Sequence, residues 1–273
     1  MKLIQSQHSN PESVKAQRKH MRTLVVLVVA IVLLLGAAAA GFGYLAYIDV
    51  QTRQAAPVPA FEAPPEPSTP DAPTLIDNPI DFTTLQANNS DIYAWISVPN
   101  TNVNYPVCSS TVDDAFYLDH DAEKNYSPPG LPYSEVANGR ALADPVTMIY
   151  GHNGYGDTMF ATLHNFEDPT FFANNEKFYL YMPGHVYTYR VVSAFMYDNR
   201  HILNAFDFNN AGTVQSFFTM LTAPDSLLVN ARNSVTLTAA DKVVCLSTCM
   251  DDPAQHDNRY IVSGVLISDQ QTK

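Results

Sequence analysis

DKVVCLSTCM, residues 241–250, is a short apolar run that ends in two cysteines four positions apart. Its β-branched residues are typical of a β-strand. Alternate side chains of a strand share one face, so Cys245, Ser247 and Cys249 point the same way. Residues four apart in an extended strand have Cα atoms roughly 13 Å apart, whereas a disulfide needs Cα atoms within roughly 7 Å. The two cysteines of this strand therefore do not bond each other.

Cys249 is the better candidate for a nucleophile. It directly precedes the polar loop 250–258, whereas Cys245 lies inside the strand, and catalytic groups concentrate where rigid elements give way to loops. Cys245 and Cys108 fit the commoner fate of a free cysteine, a small buried apolar residue. A zinc site would need about four converging ligands, typically with a tight CxxC or HxxxH pair, and the chain has neither. We expect no metal and no other cofactor.

The next strand, RYIVSGVLI, begins at Arg259. If the two strands form an antiparallel hairpin, Cys249 and Arg259 lie opposite each other, with Cβ atoms about 5 Å apart. A guanidinium beside a thiol favours the thiolate and offers donors to an oxyanion on a bound carbonyl. A surface arginine paired with Asp251 or Asp252 is equally compatible with the sequence.

A thiol nucleophile also needs a proton carrier for the leaving amine, and histidine is the usual one. His152 ends the strand-like run TMIYGH and opens into a glycine-bearing loop, which is the same strand-end placement as Cys249. His152 is therefore favoured, and His256, in the loop after Cys249, remains its competitor. Three further histidines lie near helices or turns with no partner in view: His164, His185 and His201.

The charge of the chain is unevenly distributed. The formal net charge is −12, and because residues 1–22 carry +4, the remainder carries −16. An acidic surface repels phosphate backbones, and no stripe of Lys and Arg follows residue 23, so we expect no nucleic-acid partner.

Residues 23–48, TLVVLVVAIVLLLGAAAAGFGYLAYI, carry no charge over a length that exceeds the roughly 20 residues of a spanning helix. A cleaved signal peptide is the alternative, but its apolar region is usually only about 7–15 residues long. We predict a single transmembrane helix that anchors the chain in the cell membrane. Positive residues crowd its N-terminal flank, so residues 1–22 are predicted to form a cytosolic basic tail and the rest of the chain to lie outside.

Two further regions follow the apolar segment. Residues 49–79 are predicted to form an extended stalk, because 54–79 hold eight of the nineteen prolines and few large apolar groups. Residues 80–273 form one domain in which short β-type runs dominate. These runs are 93–98, 147–152, 177–182, 186–197, 235–239, 242–248 and 259–267.

Two helices are predicted among these strands. Val214, Phe217, Phe218 and Leu221 recur at helical spacing before Pro224, and Met159, Leu163 and Phe166 repeat the pattern more briefly. The inferred architecture is a mainly β, mostly antiparallel barrel or sandwich with a few peripheral helices.

With these residues identified, the sequence resembles the class B sortases. LSTC at 246–249 is similar to the Thr-Leu-x-Thr-Cys nucleophile motif of that family, although Cys245 stands where Thr is usual. IYGHN (149–153), followed by MFATLHNFEDPTFFANN (159–175), resembles the stretch around the catalytic histidine. DIYAWISVPNTNVNYPV (91–107) resembles the N-terminal signature, and Arg259 falls where the catalytic arginine of the family is expected.

The resemblance implies an eight-stranded sortase β-barrel and a membrane-anchored cysteine transpeptidase of a Gram-positive bacterium. In that reading Cys249 attacks after the Thr of a Pro-x-Thr sorting signal and forms a thioester, His152 exchanges protons with the amines, and Arg259 stabilises the oxyanion. The expected partners are secreted proteins with a C-terminal sorting signal and a peptidoglycan amine or its lipid-linked precursor. Two alternatives remain: a surface cysteine hydrolase with the same three residues, and a non-catalytic stalked adhesin or receptor domain.

Overall fold

The computed structural model describes residues 11–53, 63–64, 75–250, 252–255 and 257–273. Most of the predicted stalk, 49–79, lies outside the described residues, so the stalk stays a prediction. The chain divides after Val50 into two units.

The described residues of the first unit, 11–50, all lie in one long helix, α1 (Pro11–Arg53). Within it, Met21–Tyr44 has a mean hydropathy of 2.9, and none of that window is buried against protein. In the part of the chain that the structure describes, this is the one helix long and apolar enough to span a membrane. It overlaps the predicted transmembrane segment 23–48.

The described residues of the second unit form ten strands. In chain order they are β1 (Ile92–Ser97), β2 (Asn104–Cys108), β3 (Val146–Tyr150), β4 (Asn153–Gly154), β5 (Thr158–Met159), β6 (Lys177–Met182), β7 (His185–Tyr197), β8 (Val229–Ala231), β9 (Val243–Cys249) and β10 (Arg259–Gln271). β4 and β5 form a two-stranded ladder, and the other eight strands form one sheet. Its order is β2-β1-β6-β7-β10-β9-β3, with β8 paired to β7. Every pairing in the sheet is antiparallel except β3 with β9.

The two edge strands of this sheet, β2 and β3, are joined through Tyr133. Tyr133 forms one bridge to Cys108 of β2 and another to Tyr150 of β3. Its amide donates to the Tyr150 carbonyl at 2.9 Å, and the Tyr150 amide donates to the Tyr133 carbonyl at 2.8 Å. The sheet is therefore curled with its edges connected, and the predicted mainly β, eight-stranded sortase-like barrel with peripheral helices is confirmed.

Short helices lie around the sheet. The α-helices of the second unit are α2 (Phe82–Asn88), α3 (Pro169–Asn174), α4 (Ile202–Ala205) and α5 (Ala211–Thr222), and the 3-10 helices are Phe116–Leu118, Ala161–Glu167 and Pro253–Gln255. The Asn210 side chain caps α5 by accepting from the amides of Gly212 and Thr213. The four apolar residues of the predicted α5 face are all buried.

Strand β9 separates two parts of the core. Val244 and Leu246 belong to a cluster with residues of β1, β2, β6, β7 and β10, which fills the interior of the curl. Cys245 and Val243 belong to a second cluster, on the outer face, together with the buried residues of α5. The face of β9 that carries Cys245 therefore points away from the interior of the sheet and is covered by α5, as expected from the alternation of side chains along a strand.

Two predicted elements are wrong. Residues 235–239 form no strand, because their backbone groups bond to side chains. The side-chain amide of Gln215 donates to the Leu237 carbonyl, and the backbone amide of Thr238 donates to the Asp241 carboxylate. The stretch with Met159, Leu163 and Phe166 is not an α-helix. Met159 lies in β5 with a positive φ of 53°, and a 3-10 helix follows. All three side chains are nevertheless buried.

Candidate active site

Cys249 and Arg259 are partners across the β9–β10 ladder. The register pairs Cys249 with Arg259 directly, which confirms the hairpin expected from the sequence. Cys249 is partly exposed at the end of β9. The Arg259 Nη1 donates to the carbonyl oxygens of Asp257 and Asn258 at 2.9 and 3.2 Å, which holds the guanidinium near the start of β10. Asp251, one alternative partner for Arg259, lies outside the described residues.

His152 reaches the same end of the sheet from β3. β3 runs parallel to β9 with Tyr150 opposite Ser247, and the Gly151 amide donates to the Ser247 carbonyl at 3.0 Å. Because His152 and Cys249 each follow these paired residues by two positions, the two side chains emerge at one level of the sheet. His256, the competing histidine, lies outside the described residues.

The His152 ring is oriented by a backbone carbonyl. Its Nε2 lies 2.7 Å from the Leu118 carbonyl oxygen, at the end of a 3-10 helix. A carbonyl oxygen only accepts hydrogen bonds, so Nε2 carries a proton in this contact. Nδ1 is then the ring nitrogen that can exchange a proton with a reacting group.

Gly151 allows the backbone before His152 to pass close to an aromatic ring. A Cβ at Gly151 would lie 2.7 Å from two ring atoms of Phe160, a side chain that is fully buried. The Phe160 amide also donates to the His152 carbonyl at 2.9 Å. Close packing on one side and a hydrogen bond on the other therefore fix the His152 backbone.

Cys249, His152 and Arg259 line one cavity of about 290 Å³. Its other walls include Leu118, Tyr133, Glu135, Tyr150, Tyr197, Arg200, His201 and Ile202. The volume is near the lower end of the roughly 300–1,000 Å³ typical of ligand pockets. The structure thus brings together the three residues selected from the sequence, in a concave site large enough for a few peptide side chains.

The cavity walls include the phenols of Tyr133 and Tyr150 and the hydrogen-bonded side chains of Glu135 and His201. Burial, followed by the nearby Glu135 carboxylate, raises the pKa of Tyr133 to about 12, and the same two causes raise the pKa of Tyr150. Both phenols therefore keep their protons at neutral pH. Glu135 Oε1 lies 2.6 Å from Nε2 of His201.

The three cysteines differ in environment, and all three are free. Burial raises the pKa of Cys245 to about 12. Burial also raises the pKa of Cys108, with the Asp91 carboxylate adding to the effect. Both thiols therefore stay protonated and inaccessible, whereas Cys249 reaches the cavity.

Sequence reasoning missed His164, for which it found no partner. Nε2 of His164 lies 2.9 Å from the carbonyl oxygen of Cys249, and Nδ1 lies 2.6 Å from Oε1 of Glu167. The i,i+3 spacing of His164 and Glu167 could have indicated their contact. The contact with Cys249 crosses 85 positions of the chain, and no local pattern predicts it.

This fold is that of a sortase-type enzyme, and comparison with known proteins agrees. The profile of the sortase domain family matches residues 96–267. Sortase B of Staphylococcus aureus is 26% identical over 186 residues, which are 68% of this chain and 74% of that protein.

Solved class B structures are similar over about two thirds of the chain. The X-ray structure of Clostridium perfringens sortase B has 27% identity and a TM-score of 0.61, and the match covers 68% of this chain and 99% of that one. A Staphylococcus aureus sortase B–substrate complex has 26% identity and a TM-score of 0.59, with 68% and 84% of the chains covered. The chain belongs to the sortase family, class B.

Proposed function

We propose that this chain is a cysteine transpeptidase that joins secreted proteins to a cell-wall amine, with Cys249, His152 and Arg259 as its catalytic residues. The observation that carries the proposal is the meeting of the three side chains around one cavity, with Cys249 and Arg259 in direct register. A solved Staphylococcus aureus sortase B–substrate complex with this fold supports a substrate-binding role for the cavity.

In the first half-reaction, the Cys249 thiol gives its proton to Nδ1 of His152, and the sulfur attacks the carbonyl carbon of the Thr in a Pro-x-Thr signal. Arg259 donates hydrogen bonds to the oxyanion of the tetrahedral intermediate. The bond from Thr to the next residue breaks, and Nδ1 of His152 gives a proton to the departing amine. The product is a thioester between Cys249 and the Thr carbonyl.

In the second half-reaction, an amine of peptidoglycan or of its lipid-linked precursor attacks the thioester. His152 takes a proton from this amine, the carbon–sulfur bond breaks, and a new amide forms. The departing sulfur receives a proton from His152, which regenerates the Cys249 thiol, so one peptide bond is exchanged for another without a cofactor.

The predicted domain organisation places this reaction at the outer face of a membrane. Residues 23–48 would span the cell membrane once, residues 1–22 would stay in the cytosol, and 49–79 would hold the domain 80–273 away from the lipid. The basic residues before the apolar segment support this orientation. Secreted substrates and the wall precursor both emerge at that face.

The proposal is tested on the full chain in detergent micelles, incubated with a library of Pro-x-Thr peptides and analysed by mass spectrometry. The expected result is an acyl adduct on Cys249. An adduct on Cys108 or Cys245 instead, or the absence of any adduct, would refute the site assignment. Addition of triglycine then separates the alternatives, because a transpeptidase ligates it, whereas a cysteine hydrolase releases only cleaved peptide.

A further inference from the structure

His164 lies beneath the nucleophile strand and is held in one orientation. It belongs to the 3-10 helix Ala161–Glu167, and its side chain is only 8% exposed. The ring stacks on Tyr260 of β10, with centroids 4.8 Å apart and planes inclined by 22°. The stack and the two polar contacts together define both the position and the rotation of the imidazole.

The two polar contacts of His164 use both ring nitrogens. Glu167 presents a carboxylate oxygen to Nδ1 at 2.6 Å, and Cys249 presents a carbonyl oxygen to Nε2 at 2.9 Å. Nδ2 of Asn153 also approaches Nε2, at 3.5 Å. The imidazole therefore bridges a carboxylate and the main chain of the nucleophile, and hydrogen bonds to an ionised carboxylate are shorter and stronger than neutral ones.

The Cys249 carbonyl is the point at which the regular ladder ends. Cys249 is the last residue of β9. The Asn153 side chain also approaches this oxygen, with Nδ2 at 3.4 Å. Side chains from two other segments therefore hold the carbonyl where β9 ends, and the direction of the Cys249 side chain depends on that backbone.

We propose that His164 and Glu167 form a positioning pair that fixes the main chain of Cys249, and with it the direction in which the sulfur attacks. The inference rests on the proposed function, because it assigns these residues a role in the same reaction. His164 and Glu167 touch neither the substrate nor the sulfur in this role. Loss of the pair should therefore lower kcat more than it changes KM.

The molecule supplies a matched control in a second histidine. Nδ1 of His185 lies 2.7 Å from Asp269, and the ring stacks on Tyr187 with centroids 5.5 Å apart. His185 pairs with Gln271 at the opposite end of β10 from Arg259. It therefore repeats the carboxylate contact and the aromatic stack of His164 at a place far from the nucleophile.

The experiment measures ligation of triglycine to the Pro-x-Thr peptide that labels Cys249 most strongly, with full-length chain in detergent micelles. His164→Phe keeps a ring against Tyr260 but removes both ring nitrogens. His164→Gln retains one donor for the Cys249 carbonyl. Glu167→Gln replaces the negatively charged carboxylate with a neutral amide. His185→Phe is the control, and the melting temperature of each variant is recorded.

The expected result is a fall in kcat of about tenfold to a hundredfold for His164→Phe, with KM changed by less than about twofold, since small misplacements of a reacting group have effects of this size. His164→Gln should recover kcat to within about threefold of the wild type, because the net loss of one hydrogen bond is modest. Glu167→Gln should fall between these two, and His185→Phe should match the wild type.

Three results would overturn the inference. The first is unchanged kcat in both His164→Phe and Glu167→Gln. The second is equal loss in the Phe and Gln variants, in step with their melting temperatures, which would show a merely structural role. The third is failure of the wild type itself to acylate Cys249, which would refute the proposed function and the positioning role together. Wild-type turnover with unaffected variants would refute the positioning role alone.

Discussion

The middle and the end of strand β9 carry the same side chain in two different settings. Cys245 and Cys249 point to the same face, yet Cys245 is fully buried and its thiol pKa is raised to about 12. Cys249 lies where the helical cover of that face gives way to the cavity, opposite Arg259. Position along the strand, rather than residue type, therefore decides which thiol is available for chemistry.

The largest expected effect separates the two cysteines by function. Cys249→Ala should lower kcat by at least roughly 10⁴-fold, because the covalent intermediate can no longer form. The melting temperature should stay close to that of the wild type, since Cys249 is partly exposed. The assay is triglycine ligation, with thermal unfolding followed by circular dichroism.

Cys245→Ala is the matched control for this variant. Turnover should stay within about threefold of the wild type, while the free energy of unfolding should fall by about 1 kcal/mol because a buried side chain is shortened. If Cys245→Ala abolished ligation and Cys249→Ala did not, the contrast between the middle and the end of the strand would be inverted.

The second-largest effect is expected at His152, the proposed proton carrier, which follows strand β3. His152→Gln should lower kcat by about 10²–10⁴-fold, since Gln can still donate to the Leu118 carbonyl but exchanges no proton. Cys249 should remain accessible to iodoacetamide in this variant, as judged by mass spectrometry. Near-normal ligation by His152→Gln would exclude His152 and direct attention to His256.

The third effect concerns the guanidinium opposite Cys249. Arg259→Lys keeps the charge but loses the planar fork of donors, so kcat/KM should fall by about tenfold to a hundredfold. Arg200, which also lines the cavity and pairs with Asp198 at 2.8 Å, offers a control through Arg200→Lys. An equal loss in both lysine variants would indicate a general need for guanidinium groups around the cavity and no specific role of Arg259 in stabilising the oxyanion.

Much of the fold could be predicted from the sequence where local pattern and tertiary pairing agree. β6 has the predicted bounds, and α5 buries all four apolar residues assigned to it. β2 was missed because Pro106 interrupts its run, but β2 is an edge strand, where proline is tolerated. Residues 235–239 have the composition of a strand but no strand partner.

The residues of the site likewise differ in how readily the sequence predicts their contacts. The pairing of Cys249 with Arg259 follows from one hairpin, so it was accessible to local reasoning. The contact of His164 with the Cys249 carbonyl depends on how two segments pack in three dimensions, so it was not. The sequence thus predicts groups placed by a hairpin or a strand end more readily than groups placed by packing.

The smallest expected effect tests the buried setting of Cys245 itself, through the pH dependence of stability. The ordinary cysteine pKa is 9.0, and burial raises that of Cys245 to about 12. Between these values the unfolded chain has lost this proton while the folded chain retains it. The free energy of unfolding must therefore decrease as the pH rises above 9, by up to about 1.4 kcal/mol per pH unit from this thiol.

Cys245→Ala removes this contribution but leaves the buried tyrosines, such as Tyr93 with its pKa raised to about 12, unchanged. The stability advantage of the wild type over the alanine variant should therefore shrink by about 1 kcal/mol between pH 8 and pH 10. Denaturant titration reports it through the fluorescence of Trp95, the single tryptophan of the chain, which is buried in β1. Parallel pH curves for the two proteins would mean that the thiol of Cys245 titrates as freely as an exposed one, and the distinction between the middle and the end of β9 would be lost.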